Sequence, residues 1–197
     1  MATDSLANAS LANASLDVAS AGAQRASGDA ALAFVRRALD EVATRLPEID
    51  RAAMELVLLL HRVTNVVVYD LESTVHRPAG WSWSAFRAVF TLWISGPLEP
   101  SKLAEASGMS RQAVSALAKT LEADGLIERG AVRDDGRSVS FSLTLHGHRQ
   151  IEHVFREHNR REREWASVLT SAECATLVGL LGKLAAAGQQ PWASHRF

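Results

Sequence analysis

"EPSKLAEASGMSRQAVSALAKTLEADGLIERG", Glu99 to Gly130, decides how this chain is read. Pro100 and Ser101 suit a helix start, where a missing backbone N–H is not needed. Leu103 and Ala104 face inward, and the small Ala104 lets a second helix approach closely. Gly108 supplies a turn, and Ser110 stands where it can cap the next helix. Val114, Leu117, Ala118 and Leu121 form that helix's apolar face. Gly125 ends it at the position that favours left-handed backbone. Two short helices around a glycine turn, the second with an apolar stripe, predict a helix-turn-helix.

The outward face of the second helix carries the chemistry. Arg111, Gln112, Ser115, Ala116 and Lys119 point away from the stripe. Arg and Gln are the side chains that pair bidentately with guanine and adenine edges. Small Ser115 and Ala116 permit close approach to a major groove. Lys119 and Lys102 suit phosphate contacts, which position a protein without specifying sequence. Ser110 and the free amides at the helix start suit a phosphate as well.

After Gly125, "LIERGAV" and "SVSFSLT" alternate at period 2 around "RDDG", which predicts a hairpin. A hairpin directly after a helix-turn-helix is a wing, so the fold class is mainly α with a small β-hairpin (α+β). Arg133 and Arg137 at its tip suit a narrow minor groove. Asp135 is expected to hold the Arg137 guanidinium in place, and Asp134 has no assigned role.

The stretch from Leu103 to Gly147 resembles the winged helix-turn-helix core of MarR-type transcriptional regulators. The family's D-x-R wing pattern falls on Asp135, Gly136 and Arg137. Its LT-x-x-G opening of the following helix falls on Leu143, Thr144 and Gly147. In helix order the resemblance extends over Glu48 to Ala187, and the Asp29–Leu46 helix is similar to an extra N-terminal helix of some members. It implies a homodimeric regulator, a repressor, whose two recognition helices read a near-palindromic double-stranded operator. It also implies a small effector, often phenolic or anionic, held between a helical dimerisation bundle and the DNA-binding lobe. That crevice falls between the Glu48–Val75 helix and "GWSWSAFRAVF", which puts His61, Arg62, Trp83, Arg87 and Trp93 forward as effector residues.

Outward from this core, the chain divides into a tail (1–28), N-terminal bundle helices (29–80), the DNA-binding lobe (81–145) and C-terminal bundle helices (146–197). The tail holds a five-residue repeat, "SLANA SLANA SLDVA". A five-residue step advances about 140° beyond a full helical turn, so its leucines spiral and form no stripe. It reads as low-complexity sequence. The stretch from Glu48 to Val75 has no Pro or Gly and is apolar on more than one side, so its cover must come from outside its own domain. Thr170-x-x-Glu173 opens the last helix as a capping box.

Composition narrows the class. Among 197 residues, 47% are hydrophobic and 22% charged, with net charge −1, so any DNA affinity must come from local placement of charge. From Lys102 to Arg137 six basic residues stand against six acidic ones. A single cysteine, Cys174, excludes an internal disulfide and reads as a buried, inert thiol. The longest apolar run, "MELVLLL", is too short to span a bilayer, and the N-terminus makes a poor signal peptide, so a cytoplasmic location is expected. No glycine-rich phosphate loop, GxSxG or dense metal-ligand set is present, which argues against an enzyme and against a cofactor. Two alternatives stand beside the effector-responsive regulator. One is a metal-responsive regulator using His146, His148, His153, Glu157 and His158. The other is a winged-helix protein interaction module.

Overall fold

Side-chain caps and glycines set most element boundaries. The computed structural model describes residues 32–131, 139–188, 190 and 192–193. The repeat tail, Asp29 and the hairpin-tip residues Arg133, Asp134, Asp135, Gly136 and Arg137 lie outside the described residues. The first helix, α1, spans 32–45. Asp50 accepts the Ala53 N–H at 2.9 Å and starts α2, Arg51–Leu71. Periodicity had suggested a start at Glu48; the cap at Asp50 moves it. Beyond Leu71 the path widens into a π-helical turn, Glu72–His76, tightens into a 3-10 turn, Arg77–Ala79, and stops at Gly80 with φ of 79°. Ser73 and Thr74 both donate to the Asp70 carbonyl, at 3.1 and 2.7 Å, just where the helix widens.

The chain divides into two compact units, with the division between Val66 and Val67, inside α2. In the first, α1 and the start of α2 run antiparallel. Arg51 pairs with Asp40 at 2.7 Å, and the Arg62 guanidinium lies 4.4 Å from the centre of the Phe34 ring. The continuous run Arg51–Ala79, 29 residues, is long and apolar enough to cross a membrane by length and composition alone. The run is longer than "MELVLLL" because an average over the helix tolerates its scattered polar residues. A core helix of a water-soluble protein passes the same test when something covers it. Leu56, Val57, Val63 and Val66 of α2 are exposed.

The second unit is built around α3, Trp83–Ser95, whose Phe86, Ala88, Val89 and Leu92 are buried. Ser82 caps α3 by accepting the Ala85 N–H at 3.1 Å. Leu103 of α4 (Pro100–Ser107), Val114 and Leu121 of α5 (Arg111–Ala123), and Phe141 of β2 close the core with α3. Strands β1 (Ile127–Ala131) and β2 (Val139–Leu143) pair antiparallel, Ile127 opposite Leu143 and Ala131 opposite Val139. Leu98, between α3 and α4, exchanges two backbone hydrogen bonds with Phe141, at 3.0 and 2.8 Å, and ties the linker to the hairpin.

Thr144 joins the hairpin to α6, Leu145–Ala166. Its hydroxyl accepts the Gly147 N–H at 2.9 Å and donates to the Gly125 carbonyl at 2.6 Å. A Cβ on Gly147 would stand 2.0 Å from the Leu126 carbonyl oxygen, so only glycine fits there. Arg161 of α6 straddles the Asp70 carboxylate through two nitrogens, both at 2.7 Å, and Trp165 Nε1 donates to it at 2.7 Å. The Arg161 hydrogen bonds hold the Asp70 carboxyl below the usual carboxylate range, against the opposing effect of burial. Thr170 and Glu173 form the expected capping box of α7, Ser171–Ala187. No residue of α7 is buried, and Leu177, Val178, Leu180, Leu181 and Leu184 are all exposed.

Candidate nucleic-acid interface

The helix-turn-helix forms as its sequence implies. Gly108 closes α4 in the left-handed region at φ of 62°. Its N–H and that of Met109 serve the last carbonyls of α4. Ser110 then caps α5 by accepting the Ala113 N–H at 3.1 Å. At the far end Gly125 takes φ of 67°, and Leu126 N–H returns to the Leu121 carbonyl. Val114, Ala118 and Leu121 are buried, which turns the opposite side of α5 outward.

On that side Arg111, Gln112, Ser115, Ala116 and Lys119 are all exposed. Their spacing, with steps of one, three, one and three residues, keeps them on one face. Among the described residues neither Arg111 nor Lys119 has a carboxylate within ion-pair distance. Their charges are therefore available to a partner. A cleft of about 350 Å³ brings Arg111 and Ser115 together with Glu99, Pro100 and Ser101 at the start of α4 and Val139 at the start of β2. The start of α4 and the start of α5 thus border one depression, which carries one basic residue, Arg111, and one acidic residue, Glu99. Lys102 sits beside it and pairs with Glu105 at 3.0 Å, with both side chains well exposed, so that pair is weak.

One ion pair joins the recognition helix to the hairpin. Arg129 of β1 pairs with Glu122 of α5 at 2.6 Å and lies 5.3 Å from the centre of the Phe141 ring. This neutralises Arg129 and Glu122 against each other and leaves the balance of the remaining charges unchanged. Nothing in the local pattern shows this pairing, which joins a helix to a strand.

The residues put forward for an effector are placed as follows. In the first unit His61 is exposed beside Asn65, and Arg62 stacks on Phe34. In the second unit Trp83 and Trp93 are half-buried in an aromatic cluster with Phe86, Phe90 and Phe155. Arg87 donates to the Ser107 carbonyl at the end of α4. The cleft beside it, about 260 Å³, is lined by Phe90, Ile94 and Ala106 and by neither tryptophan.

The aromatic cluster also holds two histidines that sequence reasoning did not join. His76 Nε2 and His158 Nδ1 lie 3.0 Å apart, with ring planes 13° apart and ring centres 5.2 Å apart. The rings therefore meet edge to edge in nearly one plane. Phe86 stacks across both, 4.3 Å from His76 and 4.4 Å from His158. His158 Nε2 reaches Glu162 at 3.2 Å. The proton order follows from the partners: Glu162 accepts from His158 Nε2–H, and His158 Nδ1 accepts from His76 Nε2–H. His76 Nδ1 is then a bare acceptor, and it is buried with no hydrogen-bond partner. Burial pushes His76 down to about 4, helped by the neighbouring His158, so the ring is neutral near pH 7. Burial also lowers His158, against the pull of Glu162. This contact corrects the metal alternative. His158 turns inward to His76, while His146, His148 and His153 face solvent. Among the described residues no three His, Cys, Asp or Glu side chains are grouped to hold a metal ion.

Comparison with known proteins agrees with this geometry. The model of the MarR family matches residues 81–139, from Trp81 through α5 to the first residue of β2. The chain is 33% identical to the HTH-type transcriptional regulator YwaE of Bacillus subtilis over 133 residues, which cover 68% of this chain and 78% of that protein. Among solved structures it is similar to NadR in complex with 4-hydroxyphenylacetate, with a TM-score of 0.56 and 24% identity over 64% of this chain and 89% of that one. It is also similar to a mutant of E. coli MarR complexed with operator DNA, with a TM-score of 0.61 and 22% identity over 72% of this chain and 96% of that one. At these identities the structural likeness is one of fold.

Proposed function

The chain belongs to the MarR family of transcriptional regulators, and from that premise we propose that it is a homodimeric repressor of a near-palindromic operator, released by a small aromatic or anionic effector. The family consists of DNA-binding regulators and not of enzymes. The observation that carries the finer reading is the outward face of α5, where Arg111, Gln112, Ser115 and Lys119 stand exposed beside the cleft at the start of α4. Arg111 and Gln112, at the N-terminal turn, reach base edges, while Lys119, Lys102 and the amides near Ser110 take phosphates. Arg133 and Arg137, the latter held by Asp135, are the minor-groove reach of the wing by sequence.

Dimerisation follows from uncovered apolar surface. The exposed Val57, Val63 and Val66 of α2 and the wholly unburied α7 need a partner, and a second copy of the same chain supplies matching surface. Two recognition helices related by a two-fold axis read two half-sites about one helical turn apart. A DNA operator as partner supports a cytoplasmic location. For the effector, the support is the likeness to NadR, which is solved with 4-hydroxyphenylacetate, and the half-buried Trp83 and Trp93 of the aromatic cluster.

The test is the double variant Arg111→Ala, Gln112→Ala. A DNA reader loses operator selectivity and keeps its fold and dimer. A winged-helix protein interaction module, the alternative, keeps its partner binding and has no operator to lose. Titration with phenolic acids, followed by tryptophan fluorescence, tests the effector class; an unchanged signal removes it.

A further inference from the structure

We infer that Arg87 is a positioning residue for the recognition helix: from the rigid centre of α3 its guanidinium holds the carbonyl end of α4, and so sets selectivity for operator over bulk DNA. The inference rests on the reading of α5 as the recognition helix.

The last carbonyls of a helix need partners from outside it. In α4 the Leu103 carbonyl receives the Ser107 hydroxyl at 2.5 Å. The Ala104 carbonyl receives the N–H groups of Gly108 and Met109, and the Glu105 carbonyl receives that of Gly108. The Ser107 carbonyl receives the Arg87 guanidinium. A cation suits this end of a helix, where the partial charge is negative. Among the described residues Arg87 has no carboxylate within ion-pair distance, so the carbonyl end of α4 is its electrostatic partner.

The guanidinium also lies against the turn itself. A Cβ on Gly108 would stand 2.8 Å from Arg87 Nη2. Ser110, the cap of α5, follows two residues after Gly108, and Arg111 follows directly. At the other end Arg87 is fixed to the core. Phe86, Ala88 and Val89 beside it are buried, and its own carbonyl accepts the Thr91 hydroxyl at 2.7 Å. Arg87 therefore transmits the orientation of α3 to the start of α5 without touching the exposed face of α5. Bidentate base contacts depend on that orientation, whereas phosphate contacts tolerate small rotations.

The experiment uses the full chain and two DNA probes: a duplex enriched by the wild-type protein from a randomised pool, and a shuffled duplex of the same length. Arg87→Met keeps the aliphatic stem and removes the donors; Arg87→Lys keeps one charged donor group. Arg87→Met is expected to lose about tenfold in affinity for the enriched duplex, the scale of one charge-assisted hydrogen bond. Its affinity for the shuffled duplex and its salt slope stay as in the wild type, and Arg87→Lys recovers part of the loss. The inference is overturned if Arg87→Met binds the enriched duplex as the wild type does. It is equally overturned if Arg87→Met weakens both duplexes by the same factor, which is what loss of folded protein would do. If the wild type enriches no duplex, the reading of α5 fails first, an outcome distinct from an unaffected Arg87→Met.

Discussion

Acid should destabilise this protein through His76 in a predictable window. The ring is buried in the aromatic cluster, its Nδ1 has no partner, and burial holds its pKa down to about 4. In the unfolded chain the same ring titrates near 6.5. The folded value is the lower one, so as pH falls the unfolded chain takes up the proton first. The contribution is fully present above pH 6.5, is lost as pH falls through the window, and is gone near pH 4. The interval from 6.5 to about 4 corresponds to about 3 kcal/mol. His158 is shifted in the same direction and adds to the loss. Asp70 adds a separate loss at lower pH, as its carboxylate is protonated away from Arg161. The assay is urea unfolding at fixed protein concentration, from pH 7.5 to pH 4, followed by tryptophan fluorescence; Trp83 lies 5.4 Å from His76 and reports the cluster directly. His76→Gln is the control, since its amide can still donate to His158 but does not titrate. Its stability difference between the two pH limits should be smaller than the wild type's by about 3 kcal/mol. Equal differences in the two proteins would refute the account of His76.

Three further outcomes follow from particular contacts. Gly147→Ala places a Cβ 2.0 Å from the Leu126 carbonyl oxygen and should cost about 3 kcal/mol, the range of a forced core clash, in chemical denaturation. Lys119→Ala should reduce the slope of log affinity against log salt by about one, as the loss of one phosphate contact does, while Arg129→Ala leaves it unchanged because Arg129 is already paired with Glu122. Leu181→Glu on the exposed face of α7 should shift the protein from dimer to monomer in sedimentation without unfolding α3 to α5; a dimer that survives excludes α7 from the interface.

The legible part of this fold is local. Ser110, Thr144 and Thr170 cap the helices that follow them, and Gly108 and Gly125 take the left-handed conformation, each as its neighbours in sequence require. The exposed face of α5 follows from the same short-range periodicity. What sequence did not reveal is long-range. His76 and His158 are 82 positions apart, and Asp70 and Arg161 are 91. No periodicity links such pairs, because they depend on how α6 crosses the end of α2. Arg87 stands on a tryptophan-rich helix, and only the fold shows that it reaches the carbonyl end of α4. The π-turn at Glu72–His76 was not legible in the sequence either.

The central claim is that α5 reads DNA bases from a two-fold dimer. Footprinting on DNA upstream of the protein's own gene tests it most directly. The account predicts protection of an inverted repeat with half-site centres about one helical turn apart, and loss of that protection in the Arg111→Ala, Gln112→Ala variant. Protection that is equal in the double variant, or that covers DNA uniformly without a repeat, would contradict it.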